Sequence, residues 1–222
     1  MKTNQIKLLR KLLFLITAIC MLQGFTPTPV KAGALHEAAL RGDLRKAKEL
    51  IKQGTDINAK DELGAAPLHY ALMEGYKEVA EFLLDNGADI KQKDDAGALP
   101  LHYAVQKGYI KIVDLSLKKG VDVNAKSTLG NTALIIALVY RQTPIVNILL
   151  KNGANVNLRD NKGTFPLLIA ASTGQKELVK ELLGHGADVN MKTPTGRTAL
   201  KAAEQKGHQE IVKLLHQYGA KR

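Results

Sequence analysis

Cysteine is nearly absent: Cys20 is the only one among 222 residues, and a lone thiol supports neither an internal disulfide nor a cysteine-based metal site. Long apolar runs are missing as well. The stretch LLFLITAICML, residues 12–22, is eleven residues long and is interrupted by Thr17, against the roughly twenty a spanning helix needs. No Gly-x-Ser-x-Gly elbow and no lysine-bearing phosphate loop is present, so neither a strained nucleophile turn nor a nucleotide cradle has a sequence signal. Acidic residues are absent before Gly33, whereas Lys2, Lys7, Arg10, Lys11 and Lys31 all precede it. Setting those five aside leaves 27 basic against 21 acidic residues, a surplus of +6 instead of the +11 of the whole chain. That surplus argues against nucleic acid as the partner and favours an acidic protein over a basic one.

A basic flank followed by a short apolar run is the pattern of a secretory signal peptide. Pro27 and Pro29 stop the run from extending, and Val30 and Ala32 are spaced as the small residues of a cleavage site. Cleavage is therefore expected after Ala32, giving a mature chain from Gly33 without a thiol. The alternatives are an uncleaved anchor, which would hold the chain at a membrane, and lipidation at Cys20, which the bulky Ile19 disfavours. The expected location is periplasmic or secreted.

What is abundant is glycine, and it is periodic. Gly64, Gly97, Gly130, Gly163 and Gly196 are thirty-three residues apart. The same interval links Gly42, Gly75, Gly108, Gly174 and Gly207, with Arg141 filling the gap, and it links Gly54, Gly87, Gly120, Gly153, Gly186 and Gly219. Three registers holding one period without insertion indicate a stacked repeat, in which each unit is too small to bury a core and must be closed by its neighbours. Within each unit a Pro-Leu-His or related start opens one helix, a glycine ends it, and an apolar stripe such as Val79, Phe82, Leu83 and Leu84 opens a second.

These residues resemble the ankyrin repeat family from about residue 34 to 220. The resemblance implies an all-α repeat solenoid of six stacked helix-turn-helix units joined by β-hairpin loops. Residues 1–32 are read as signal peptide and 33–222 as the repeat domain, with units near 34–60, 61–93, 94–126, 127–159, 160–192 and 193–220. A non-glycine at Arg141 should cost about 1 kcal/mol in a left-handed turn, with Thr143 as N-cap and Pro144 opening the following helix as partial compensation. In the last unit Lys201 and His216 replace residues that are apolar or histidine elsewhere, as a water-facing cap requires. No catalytic domain is expected beyond it.

No catalytic, cofactor or metal site is indicated. His36, His69 and His102 share one repeat position, but no carboxylate or thiol recurs beside them at ligand spacing; the family resemblance implies that they brace hairpin to helix. The same resemblance places a partner-binding groove on the hairpin tips (Glu62, Leu63, Asp95, Ala96, Thr128, Leu129, Asn161, Lys162) and on the exposed side of the first helices. There, Met73, Val139 and Tyr140 are the candidate anchors, Lys107 lies near the rim, and Tyr70 and Tyr103 flank the same helices. Tyrosine supplies apolar area with a polar edge at small entropic cost. The sequence thus points to a noncatalytic, monomeric protein-binding or scaffolding module. A stoichiometric inhibitor or modulator of an enzyme and a secreted effector that binds host proteins are the alternatives.

Overall fold

The computed structural model describes residues 33–221; the expected export signal lies outside them. Among the described residues there are twelve helices in six antiparallel pairs and no strand: α1 (Ala34–Arg41) and α2 (Leu44–Lys52); α3 (Pro67–Glu74) and α4 (Lys77–Asp85); α5 (Pro100–Lys107) and α6 (Ile110–Lys118); α7 (Ala133–Val139) and α8 (Thr143–Lys151); α9 (Pro166–Ser172) and α10 (Lys176–Gly184); α11 (Ala199–Lys206) and α12 (Gln209–Gln217). None is long and apolar enough to cross a membrane.

Successive pairs stack first helix on first helix and second helix on second. The first helices pack closely because one position is alanine in every unit: Ala38, Ala71, Ala104, Ala137, Ala170 and Ala203, all buried. A methyl group there lets backbones approach where a longer side chain would hold them apart. Leucine fills the adjoining layer. Leu35, Leu68, Leu101, Leu134, Leu167 and Leu200 recur at the same interval and are each at most 1% exposed, forming one continuous core along the array. Lys201 and His216 are exposed at the closing end, as a cap demands.

The polar connections repeat with the same period. Asn58 clamps the next loop by donating from Nδ2 to the Gly87 carbonyl at 3.3 Å and accepting from the Asp89 N–H at 2.7 Å. Asn124, Asn157 and Asn190 do the same, each to the loop that follows its own. Lys60, Lys126 and Arg159 add a rung each, donating to the carbonyls of Lys93, Arg159 and Lys192. The expected hairpins are tight turns rather than strands: Asp61 and Asp94 each accept the closing glycine N–H and donate their own N–H to Ala65 and Ala98.

Arg141 is the only non-glycine with positive φ among the described residues, at 58°. Its guanidinium donates to the Thr173 carbonyl at 3.1 Å, which offsets part of the strain. The N-cap expected at Thr143 falls instead on Gln142, without a side-chain capping bond, and Thr143 is already helical.

Gly54 and Gly130 separate two reasons for glycine. Both have positive φ, 81° and 77°. A Cβ on Gly54 would meet nothing within 4 Å, whereas one on Gly130 would lie 2.7 Å from the backbone nitrogen of Asn161. Gly54→Ala should therefore cost about 1 kcal/mol from backbone strain alone, and Gly130→Ala about 1–3 kcal/mol more from overpacking against backbone that cannot swing aside. Urea titration followed by circular dichroism checks the order of the two midpoints.

Candidate functional site

Three of the five tips that join the pairs are built on an acid, Asp61, Asp94 and Asp160, with Ser127 and Thr193 at the other two. Asp61 accepts the N–H groups of Leu63 and Ala65 on Oδ1, at 2.9 and 3.0 Å, and the Tyr70 hydroxyl on Oδ2 at 2.5 Å. Asp94 repeats part of this, accepting from Ala98 N–H at 2.8 Å and from the Tyr103 hydroxyl at 2.6 Å. Burial first, and then the hydrogen bond to the acid, push both phenols well above the usual tyrosine range. They stay protonated and keep donating. Adjacent tips are then joined by backbone bonds: Asp95 N–H to the Leu63 carbonyl at 3.0 Å, Thr128 N–H to Ala96 at 2.8 Å, Asn161 N–H to Leu129 at 3.1 Å. Side chains at the tips are consequently presented by a fixed backbone.

The histidines hold helix to loop. His69 Nδ1 accepts from the Ala66 N–H at 3.0 Å and Nε2 donates to the Gln92 carbonyl at 3.0 Å; His102 bonds likewise to Leu99 and Ala125. His36 Nε2 donates to Ala65. Tyr70 and Tyr103 meet the rings of His36 and His69 edge-on, with centroids 6.1 Å apart. Ile135 and Lys201 replace the histidine in the fourth and sixth units, where Thr132 and Thr198 cap the helix with their hydroxyls; Leu168 replaces it in the fifth, where the N-cap is Phe165 and no side chain caps. Among the described residues no group of three potential metal ligands comes together.

The candidate anchors fall into two groups. Val139 is exposed at 43% and Lys107 is exposed, its ammonium lying over the Gly75 turn of the preceding unit. Met73, Tyr140, Tyr70 and Tyr103 are half-buried, and the last two are committed to the tip acids. Among the described residues the most exposed large apolar side chains are at the tips instead: Leu129 at 62% and Leu63 at 57%. The resemblance places both in the groove without making either an anchor. The available signal was a leucine at a turn where the neighbouring units carry Ala96 and Lys162. Along the same row of tips charge changes sign, from Glu62 and Asp95 to Lys162.

The family model described as "Ankyrin repeats (3 copies)" matches residues 4–94, 35–127, 92–160 and 152–221. The chain belongs to the ankyrin repeat family. It is similar to the crystal structure of an ankyrin repeat domain from Acinetobacter baumannii AYE, 36% identical over 84% of this chain and 98% of that one, with a TM-score of 0.74. No curated protein matches it. Ankyrin repeats are in general protein-interaction modules and typically not enzymes, which agrees with a surface of rigid tips carrying exposed apolar side chains.

The buried histidines make the ankyrin array sensitive to acid. Burial holds His69 and His102 below their ordinary value of 6.5, only partly opposed by Asp94 and by their backbone bonds. The unfolded chain therefore takes up these protons first as pH falls. Stability is full above about pH 6.5 and is lost as pH drops below it toward the depressed folded-state values. Thermal midpoints measured between pH 7.5 and about 5 should fall in the native protein, and fall less steeply in the His69→Gln/His102→Gln double variant.

Proposed function

We propose that this ankyrin array is a noncatalytic binding module that grips another protein along its second to fourth units. The observation that carries the reading is the set of exposed apolar side chains Leu63, Leu129 and Val139, the two leucines on tips whose backbones are tied across units and the valine on a first helix packed between its neighbours. An exposed apolar side chain on preorganised backbone loses little entropy when covered, so it contributes more to association than the same residue on a mobile loop. Met73, Tyr140 and Lys107 border these residues at equivalent repeat positions and extend the same surface. Tyr70 and Tyr103 support it from beneath by fixing the tip acids.

Export completes the proposal. The basic flank, apolar run and small residues at Val30 and Ala32 support passage out of the cytoplasm with cleavage after Ala32, leaving the array in the periplasm or outside the cell as a monomer that bears a modest positive surplus. Occlusion of an enzyme's active site is the second reading, favoured by the projection of Leu129 from a tip. Sequencing the amino terminus of the exported chain should yield Gly33; recovery of Met1 in a membrane fraction would show an anchor instead.

Crosslinking and affinity capture from the native envelope supplies the partner, and variants decide whether the groove holds it. Leu129→Ser/Val139→Ser should weaken that partner by at least about tenfold, or 1.4 kcal/mol, with a smaller change in thermal midpoint than a buried leucine would give, because Leu129 and Val139 are 62% and 43% exposed. Undiminished affinity in the folded double variant would contradict the groove.

A further inference from the structure

Four loops are clamped to the next loop by asparagine: Asn58, Asn124, Asn157 and Asn190. The fifth is not. At the corresponding position between the second and third units stands Lys91, and an ammonium is a donor only, whereas the amide it replaces both donates and accepts. The Asp122 N–H and the Gly120 carbonyl, which such an asparagine would take, have no partner among the described residues. The rung is missing at the same seam: Lys60, Lys126 and Arg159 each reach the next loop, but the Lys93 ammonium makes no bond to Lys126. An open notch of about 440 Å³ lies at this seam; Lys91, Lys93, Asp122 and Lys126 line its polar side and Leu99, Val121 and Ala125 its apolar side. Lys91 Nζ hangs over Gly120, 3.6 Å from where a Cβ would stand. The Asp122 carboxylate is held to its own loop, accepting from the Asn124 N–H at 2.9 Å.

We propose that this notch is a carboxylate-binding site that docks an acidic peptide segment. Its unpaired groups are two ammoniums and one backbone N–H against a single acceptor, the Gly120 carbonyl beneath Lys91, and that excess of donors is the complement of a carboxylate: one oxygen accepts from the Asp122 N–H while Lys91 and Lys93 close on the other. Coincidence of the two missing cross-links at one seam is what opens the space and releases the donors together. The site is separate from the apolar row, and it gives the positive surplus of the array a specific place to act.

Fluorescein-labelled hexaglutamate is the probe, titrated into the full chain and followed by anisotropy, with inorganic phosphate as a second arm. The native protein should bind the peptide saturably at one site. Lys91→Asn restores the asparagine present at the four other seams, so it should weaken hexaglutamate at least about tenfold while raising the thermal midpoint. Lys93→Gln should weaken binding without that rise. Lys151→Ala, which removes an equally exposed charge elsewhere, should leave affinity within about twofold. Leu129→Ser should leave it unchanged, which keeps this result independent of the groove. Equal losses in Lys91→Asn and Lys151→Ala, or no saturation, would mean diffuse attraction and overturn the site. Inorganic phosphate binding more tightly than the peptide would overturn the assignment of its ligand.

Discussion

Each helix pair places a leucine and an alanine on a face that it has too little chain to cover. Leu68, Leu101, Leu134 and Leu167 are nonetheless inaccessible, because the next pair lies over them. Truncating one such leucine costs on the order of 2–5 kcal/mol in a packed core, so the contact between units carries more free energy than any bond within a turn. Its fixed repeat distance propagates outward. The asparagine clamps, the lysine and arginine rungs and the tip-to-tip backbone bonds all fall at the same interval because the cores beneath them do.

A stack of this kind separates support from recognition. The inward faces and the clamps are occupied by holding units together, while the tips and the exposed sides of the first helices are unconstrained by packing and can carry leucine, lysine or glutamate without loss of stability. Departures from the repeat therefore have different meanings in different places. Leu129 at a tip changes what the surface can bind. Arg141 in the left-handed turn changes backbone strain, and its bond to Thr173 takes up part of the difference. Lys91 in a clamp changes both, since it removes a link and exposes the groups that the link had satisfied.

The architecture was legible because glycine spacing is a backbone requirement, and all three glycine registers have positive φ in the structure. The histidine position was legible for the same reason: it recurs with the period. The tyrosines were only half readable. Periodicity puts Tyr70 and Tyr103 beside the groove, but nothing in their spacing reveals that Asp61 and Asp94, nine residues upstream, hold their hydroxyls. Ser116 was hidden altogether. It stands where the other units have Leu50, Leu83, Leu149, Leu182 and Leu215, and it is fully buried with its hydroxyl turned onto the Ile112 carbonyl at 2.7 Å. A polar residue in an apolar stripe reads as exposed until the backbone acceptor four residues earlier is known. Residues 1–32, which hold the sequence pattern for export, lie outside the described part of the chain.

The division between a packed side and a recognition side is tested most directly by amide hydrogen exchange of the full chain, alone and saturated with its captured protein partner. The account predicts added protection at the tips around Leu63, Ala96 and Leu129 and in the last turns of α3, α5 and α7, with the exposed faces of α4, α6 and α8 unchanged. Protection concentrated on those second helices, or spread evenly over the array, would contradict it.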